Sequence, residues 1–186
     1  MSREVKHYMV DEYQLWPFAN EFERSNVPYV SVPSHFIMPE GYIGVHISNL
    51  LEGLLEKTEG DLEKAQNGAI IFEETDKTFI TESDLPDLSK PEDDPDEIRK
   101  NKIRSLKSMI HFSLGNLMRG AIIPVTYDGE EYLFDTSNLV CLFTGNFIDN
   151  LIGIPYNLLD NCLHASCVDE VIEYIETLNS KQLGSN

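Results

Sequence analysis

The sequence predicts an α/β fold, a mostly parallel sheet flanked by helices with one β-hairpin added. Three observations carry that reading. The runs AIIF (69–72) and LVCLF (139–143) are apolar at every position, as in strands covered on both faces. Between them lies a long helical pattern, with Ile103, Leu106, Ile110, Leu114 and Leu117 on one face. AIIPVTY and EEYLF flank Asp128-Gly129, a two-residue hairpin turn. Strands that alternate with helices need crossover connections, which make parallel pairs.

The remaining elements follow in order. PYVSV (28–32) is a short β-branched run and reads as a strand. From Ser48, taken as the N-cap, Leu50, Leu51, Leu54 and Leu55 form a helical stripe. Asn67-Gly68 breaks that helix before AIIF, and Glu73, Glu74 and Asp76 follow the strand at once. The stretch 82–97 carries eight acidic residues and three prolines, so it reads as a solvated or disordered insert. A basic cluster (Arg99, Lys100, Lys102, Arg104, Lys107) opens the long helix, and Gly120 ends it. Thr144-Gly145-Asn146 closes the second buried strand. Val168, Val171, Ile172, Ile175 and Leu178 line one face of a last helix.

The chain has 186 residues, 14 Lys+Arg against 32 Asp+Glu, and a formal net charge of −18. That length suits one domain with a real core, and 41% hydrophobic content excludes wholesale disorder. So negative a surface repels phosphates, which excludes a general nucleic-acid-binding role and leaves solubility or a basic protein partner. Cys141, Cys162 and Cys167 are too few for a disulfide framework and read as reduced thiols of a cytoplasmic protein. The first sixteen residues hold no uninterrupted apolar stretch of the secretory kind, and no apolar run nears the ~20 residues of a membrane span.

Residues 40–77, EGYIGVHISNLLEGLLEKTEGDLEKAQNGAIIFEETDK, resemble the ATPase core of the ClpX unfoldase, a member of the AAA+ superfamily. That family shows a GYVG loop, a helix, an acidic D-x-x-K-A-x-x-G linker and a hydrophobic strand ending in Asp-Glu before Ile-Asp-Lys. The counterparts are Gly41-Tyr42-Ile43-Gly44, Asp61 to Gly68, and Ala69 to Lys77. The similarity resumes at IHFSLGNLMRG (110–120) and at FDTSNLVCLFTGNF (134–147), whose Asn146 falls at the sensor-1 position. The resemblance implies a three-layer, P-loop-NTPase-type sheet. It implies a core over 26–160 with 82–97 inserted, a divergent segment 1–25 in the phosphate-loop region, and a C-terminal helix and tail over 161–186. It also makes Gly41, Tyr42, Ile43 and Gly44 a pore-loop-like, partner-binding element, in which an aromatic on a mobile loop grips a chain by packing.

In the family the acidic pair holds Mg²⁺ and orients the attacking water. Here Glu73 takes the metal position, where its extra methylene displaces the shell of an octahedral ion, and Glu74 matches the water-orienting position. Counting back from NVPYV (26–30) puts the family's G-x-x-x-x-G-K-[ST] loop at YMVDEYQL (8–15). That stretch has no glycine to expose amides and no lysine for the phosphates, and Asp11 and Glu12 repel a nucleotide. The last arginine is Arg119, so the usual arginine finger and the sensor-2 arginine of the lid have no counterpart after it. These departures imply that Glu73 and Glu74 go unused and that neither ATP nor Mg²⁺ is a cofactor.

Among smaller candidates, Cys162-x-His164-x-x-Cys167 lacks an evident fourth metal ligand and reads as helix-flanking core thiols. His46 and His111 have no nucleophile at motif spacing. The expectation is therefore an ATPase-inactive, ClpX-like protein that works by protein–protein binding. It would be a regulator or inhibitor of the kind phages or mobile elements carry, partnered by an AAA+/Clp component or a basic host protein, or by further copies of itself. The alternatives are a truncated ATP-dependent unfoldase subunit, for which ATP and Mg²⁺ would be cofactors, and an acidic nucleic-acid mimic that blocks a nuclease or other basic protein.

Overall fold

The computed structural model describes residues 7–11, 15–91, 93–147 and 162–164. Its centre is a five-stranded, wholly parallel sheet in the order β2-β3-β6-β1-β7. The strands are β1 (His7–Asp11), β2 (Tyr29–Pro33), β3 (Ala69–Glu73), β6 (Val140–Gly145) and β7 (Cys162–His164). The hairpin of β4 (Ile122–Tyr127) and β5 (Glu130–Asp135) stands apart, with Asp128 and Gly129 both at positive φ in its turn. Both central residues at positive φ match the right-handed twist of the two strands. The helices are α1 (Leu15–Arg24), α2 (Ile47–Lys57), α3 (Leu62–Gln66) and α4 (Pro95–Met118).

The sheet separates two cores, because alternate residues of a strand face opposite ways. On one face Tyr8, Val10, Ala69, Ile71, Val140 and Leu142 pack under Phe18 and Phe22 of α1. On the other, Met9, Ile70, Phe72, Cys141 and Phe143 meet α2, α4 and the hairpin. Phe72 and Phe143 stack at 4.9 Å between centroids across the β3–β6 pair. The layers are helix, sheet, helix, as expected.

Several local readings change. Residues 8–11, counted as the start of the phosphate-loop region, belong to β1, a strand inside the sheet: Tyr8, Met9 and Val10 are buried, and apolar burial there outweighs any loop tendency. His46, not Ser48, caps α2. Its backbone N–H donates to Asn49 Oδ1 at 3.0 Å in a capping box, while Ser48 donates to Glu40. The acidic stretch is tied down at both ends. Lys107 Nζ reaches Asp84 at 2.7 Å, and Glu97, buried in the first turn of α4, accepts from the Asp87 amide and from Lys100. Asp94 caps α4 and Pro95 starts it, so the insert ends as a helix and not as free chain. The second buried strand runs on through Gly145. Cys162 and His164 lie in β7; Cys167 and the helical pattern 168–178 fall outside the described residues.

Candidate functional site

In an open parallel sheet, ligands bind beyond the carboxyl ends of the strands where the connections part in opposite directions. Here β1 connects through α1 to β2 on one side, and β6 connects to β7 on the other, so the switch point lies between β1 and β6. Asp11 ends β1 opposite Gly145. One residue earlier in β6, Thr144 is fully buried and its hydroxyl has no hydrogen-bond partner. Only positions 12–14 separate β1 from α1.

The acidic turn after β3 adjoins this point. Gly145 packs so closely on it that an added Cβ would lie 2.5 Å from Asp76 Oδ1 and 3.1 Å from the Asp76 amide nitrogen. Glu74 holds a left-handed conformation, φ 52°, and the 3-10 turn Thr75–Thr78 follows. Buried Thr75 fixes that turn, its hydroxyl donating to Phe72 O at 2.9 Å and lying 3.1 Å from Ser34 Oγ.

Neither carboxylate of the pair is uncommitted. Ser31 Oγ donates a short hydrogen bond to Glu73 across the β2–β3 register. Glu74 meets Lys77 Nζ at 2.5 Å and His35 Nδ1 at 3.2 Å. The hydrogen bond from Lys77 holds the Glu74 carboxyl below the usual carboxylate range. A lower pKa makes it a weaker proton acceptor, and its oxygens already face the Lys77 ammonium and the His35 ring nitrogen. Among the described residues, no group of three or more His, Cys, Asp or Glu side chains is placed to hold a metal ion.

The loop with Gly41, Tyr42, Ile43 and Gly44 rises from the same corner. Its base closes through Met38 N donating to Val45 O at 2.8 Å and Val45 N to Phe36 O at 2.9 Å. Gly44, at φ +157°, has no room for a side chain: a Cβ would fall 2.3 Å from Met38 Cγ. The tip is apolar and open, Tyr42 at 52% exposure and Ile43 at 102%. His35 connects the two parts, since its ring packs on Phe36 at 4.3 Å while its nitrogen meets Glu74.

The structure thus brings Glu73, Glu74 and the base of loop 39–44 together, with Gly145 placing Asn146 beside the same turn. Asn146 is exposed and follows β6 directly. Sequence reasoning missed Ser31, His35 and Thr144. Ser31 and His35 act through contacts made only when β2 lies beside β3, and Thr144 belonged to a tripeptide read merely as a strand end.

No protein-family model matches the chain. It is similar to the ATP-dependent Clp protease ATP-binding subunit ClpX 3 of Methylococcus capsulatus (strain ATCC 33009 / NCIMB 11132 / Bath), at 25% identity over 135 residues, which is 69% of this chain and 30% of that protein. The chain spans less than a third of the relative's length.

Proposed function

We propose that this chain is a ClpX-like core that binds a protein partner through loop 39–44 and does not hydrolyse ATP. The observation that carries the reading is the commitment of Glu73 and Glu74 to Ser31, Lys77 and His35. A magnesium ion or an attacking water would have to displace the Ser31 hydrogen bond and the contacts to Lys77 and His35. The three-residue connection after β1 also lacks the glycines and lysine of a phosphate cradle. These residues do not fit magnesium and a triphosphate. The exposed Tyr42-Ile43 tip, rigidly based, suits protein contact: a large aromatic and a β-branched residue offer apolar area at little entropic cost.

The partner this reading favours is an AAA+/Clp subunit, with the chain acting as its regulator or inhibitor. The test has two arms. Calorimetric titration with MgATP is expected to give no binding heat, and Tyr42→Ser/Ile43→Ser is expected to abolish retention of a purified Clp-type ATPase subunit. Tight, Mg²⁺-dependent ATP binding would overturn the first half; retention unchanged by the double variant would overturn the second. One observation favours a second reading, a piece of an ATP-dependent unfoldase: the unpaired Thr144 hydroxyl is buried at the switch point, where a ligand would sit.

A further inference from the structure

The sequence holds one Asn-Gly pair, Asn67-Gly68, and one Asp-Gly pair, Asp128-Gly129. Both are prone to the same reaction, in which the glycine amide nitrogen attacks the carbonyl carbon of the preceding side chain. Glycine favours it because no Cβ obstructs the approach or the rotation it needs. In a chain without structure the asparagine reacts first, since a neutral amide is attacked more readily than an ionised carboxylate. The fold reverses that order.

Asn67-Gly68 is locked in place. The Gly68 amide, which would be the nucleophile, donates to Ala65 O at 3.1 Å, and the Gly68 carbonyl accepts from Val140 N at 3.1 Å. Asn67 Nδ2 donates to Glu63 O at 2.7 Å, which ties the side-chain amide to the preceding helical turn. Gly68 is buried, and a Cβ there would lie 2.7 Å from Pro28 O, so the backbone has no space to rearrange. Reaction at this pair requires the start of β3 to leave the sheet, an opening that costs a large part of the stability of the fold.

Asp128-Gly129 has none of these restraints. Both residues are exposed, at φ 49° and 81°. Among the described residues the Asp128 carboxylate makes no hydrogen bond or ion pair, and no backbone carbonyl accepts the Gly129 amide. A Cβ built on Gly129 would meet nothing within 4 Å, so the space around the attacking nitrogen is open. The left-handed conformation is uphill for an L-residue, so this turn gives way more easily than the sheet does. We propose that Asp128-Gly129 is a site of isoaspartate formation in the folded protein. The Gly129 nitrogen bonds to Cγ of the protonated Asp128 carboxyl and a water leaves, closing a succinimide ring. Hydrolysis at the main-chain carbonyl then continues the chain through Cγ as isoaspartate, whereas hydrolysis at Cγ restores aspartate. One water leaves and one returns, so the mass is unchanged and nothing is oxidised. The isoaspartyl link adds a methylene to a two-residue turn, and the Tyr127–Glu130 pair that closes the β4–β5 ladder is lost.

The test keeps the full chain at physiological temperature and pH over weeks. Isoaspartate is read by methyl transfer from S-adenosylmethionine with a purified isoaspartyl-directed methyltransferase, and its position by mass spectrometry of the peptides. Methyl acceptance is expected to grow with time and to map to Asp128, while Asn67 remains an amide. In urea the order should invert, with deamidation of Asn67 at least about tenfold faster than in the folded chain. Asp128→Gly suits the positive φ of the turn, so it should leave the circular dichroism unchanged and remove methyl acceptance at the hairpin. Asp128→Asn should accept methyl groups sooner, through its neutral amide. A 128–129 peptide free of isoaspartate overturns the proposal. So does deamidation of Asn67 in the folded chain at its rate in urea, or a time course that Asp128→Asn leaves unaltered.

Discussion

Gly145, the last residue of β6, lies against Asp76 with no space between them for a methyl group. The approach fixes the acidic turn after β3 onto the end of β6. Because the Asp76 backbone nitrogen is part of the contact, side-chain rotation cannot relieve a substitution here. Gly145→Ala is expected to lower stability by about 2 kcal/mol, the usual cost of overpacking, seen as a shift of the denaturant midpoint at unchanged slope. The variant should also loosen the turn that carries Glu74, measurable as faster amide exchange over 74–78.

His111 makes the fold acid-sensitive. Burial, and behind it the charge of Lys107, lowers its pKa to about 4 from an ordinary 6.5. The folded histidine therefore stays neutral while the unfolded one takes up a proton, so stability falls as pH drops from about 6.5 toward 4 and is whole above 6.5. A 2.5-unit gap corresponds to about 3 kcal/mol at most. His111→Gln keeps a polar partner for Thr78 Oγ1, which lies 3.2 Å from Nε2, and should flatten that pH dependence. Unfolding curves at pH 4.5, 5.5 and 7 check the slope.

Lys77 sets the acidity of Glu74. Its hydrogen bond is the largest cause of the depressed carboxyl pKa. Lys77→Met should raise that pKa toward the ordinary glutamate value, read from carboxyl-carbon NMR titration. The stability change should be small, since the pair is solvent-exposed and screened. A depressed carboxyl contributes at pH above its unfolded value and fades as pH falls through the folded one, so that difference should vanish in acid.

Truncating the loop tip should cost nothing in the fold. Tyr42 and Ile43 contribute no buried area to either core. Tyr42→Ser/Ile43→Ser is expected to leave the melting temperature within about 1 °C of the parent. Gly44→Ala is expected to destabilise by about 1–3 kcal/mol, because Met38 and the Phe36 carbonyl occupy the space its Cβ needs.

Much of this architecture was legible in the residues. AIIF and LVCLF announced strands buried on both faces because neither holds a polar residue, and Asp128-Gly129 announced its hairpin because positive φ at both places favours such pairs. What stayed hidden lacked a local signal. His7–Asp11 is five residues with polar ends, and it becomes the sheet's fourth strand only once β6 and β7 are in place beside it. The tethering of 82–97 depends on Glu97 and Asp84 finding partners up to 23 residues away. The carboxylate pair was visible, but its engagement was not, since Ser31 sits 42 residues from Glu73 and His35 is nearly as distant from Glu74.

The three-residue span between β1 and α1 bears on how this sequence could change over generations. A triphosphate cradle of the G-x-x-x-x-G-K-[ST] kind needs six residues before its lysine, and point replacement cannot add backbone. Nucleotide chemistry on this scaffold would require an insertion after β1, a strand inside the sheet, together with release of Glu73 and Glu74 from their present bonds. Point substitutions alone do not build that cradle, whereas the exposed tip at Tyr42 can change one residue at a time.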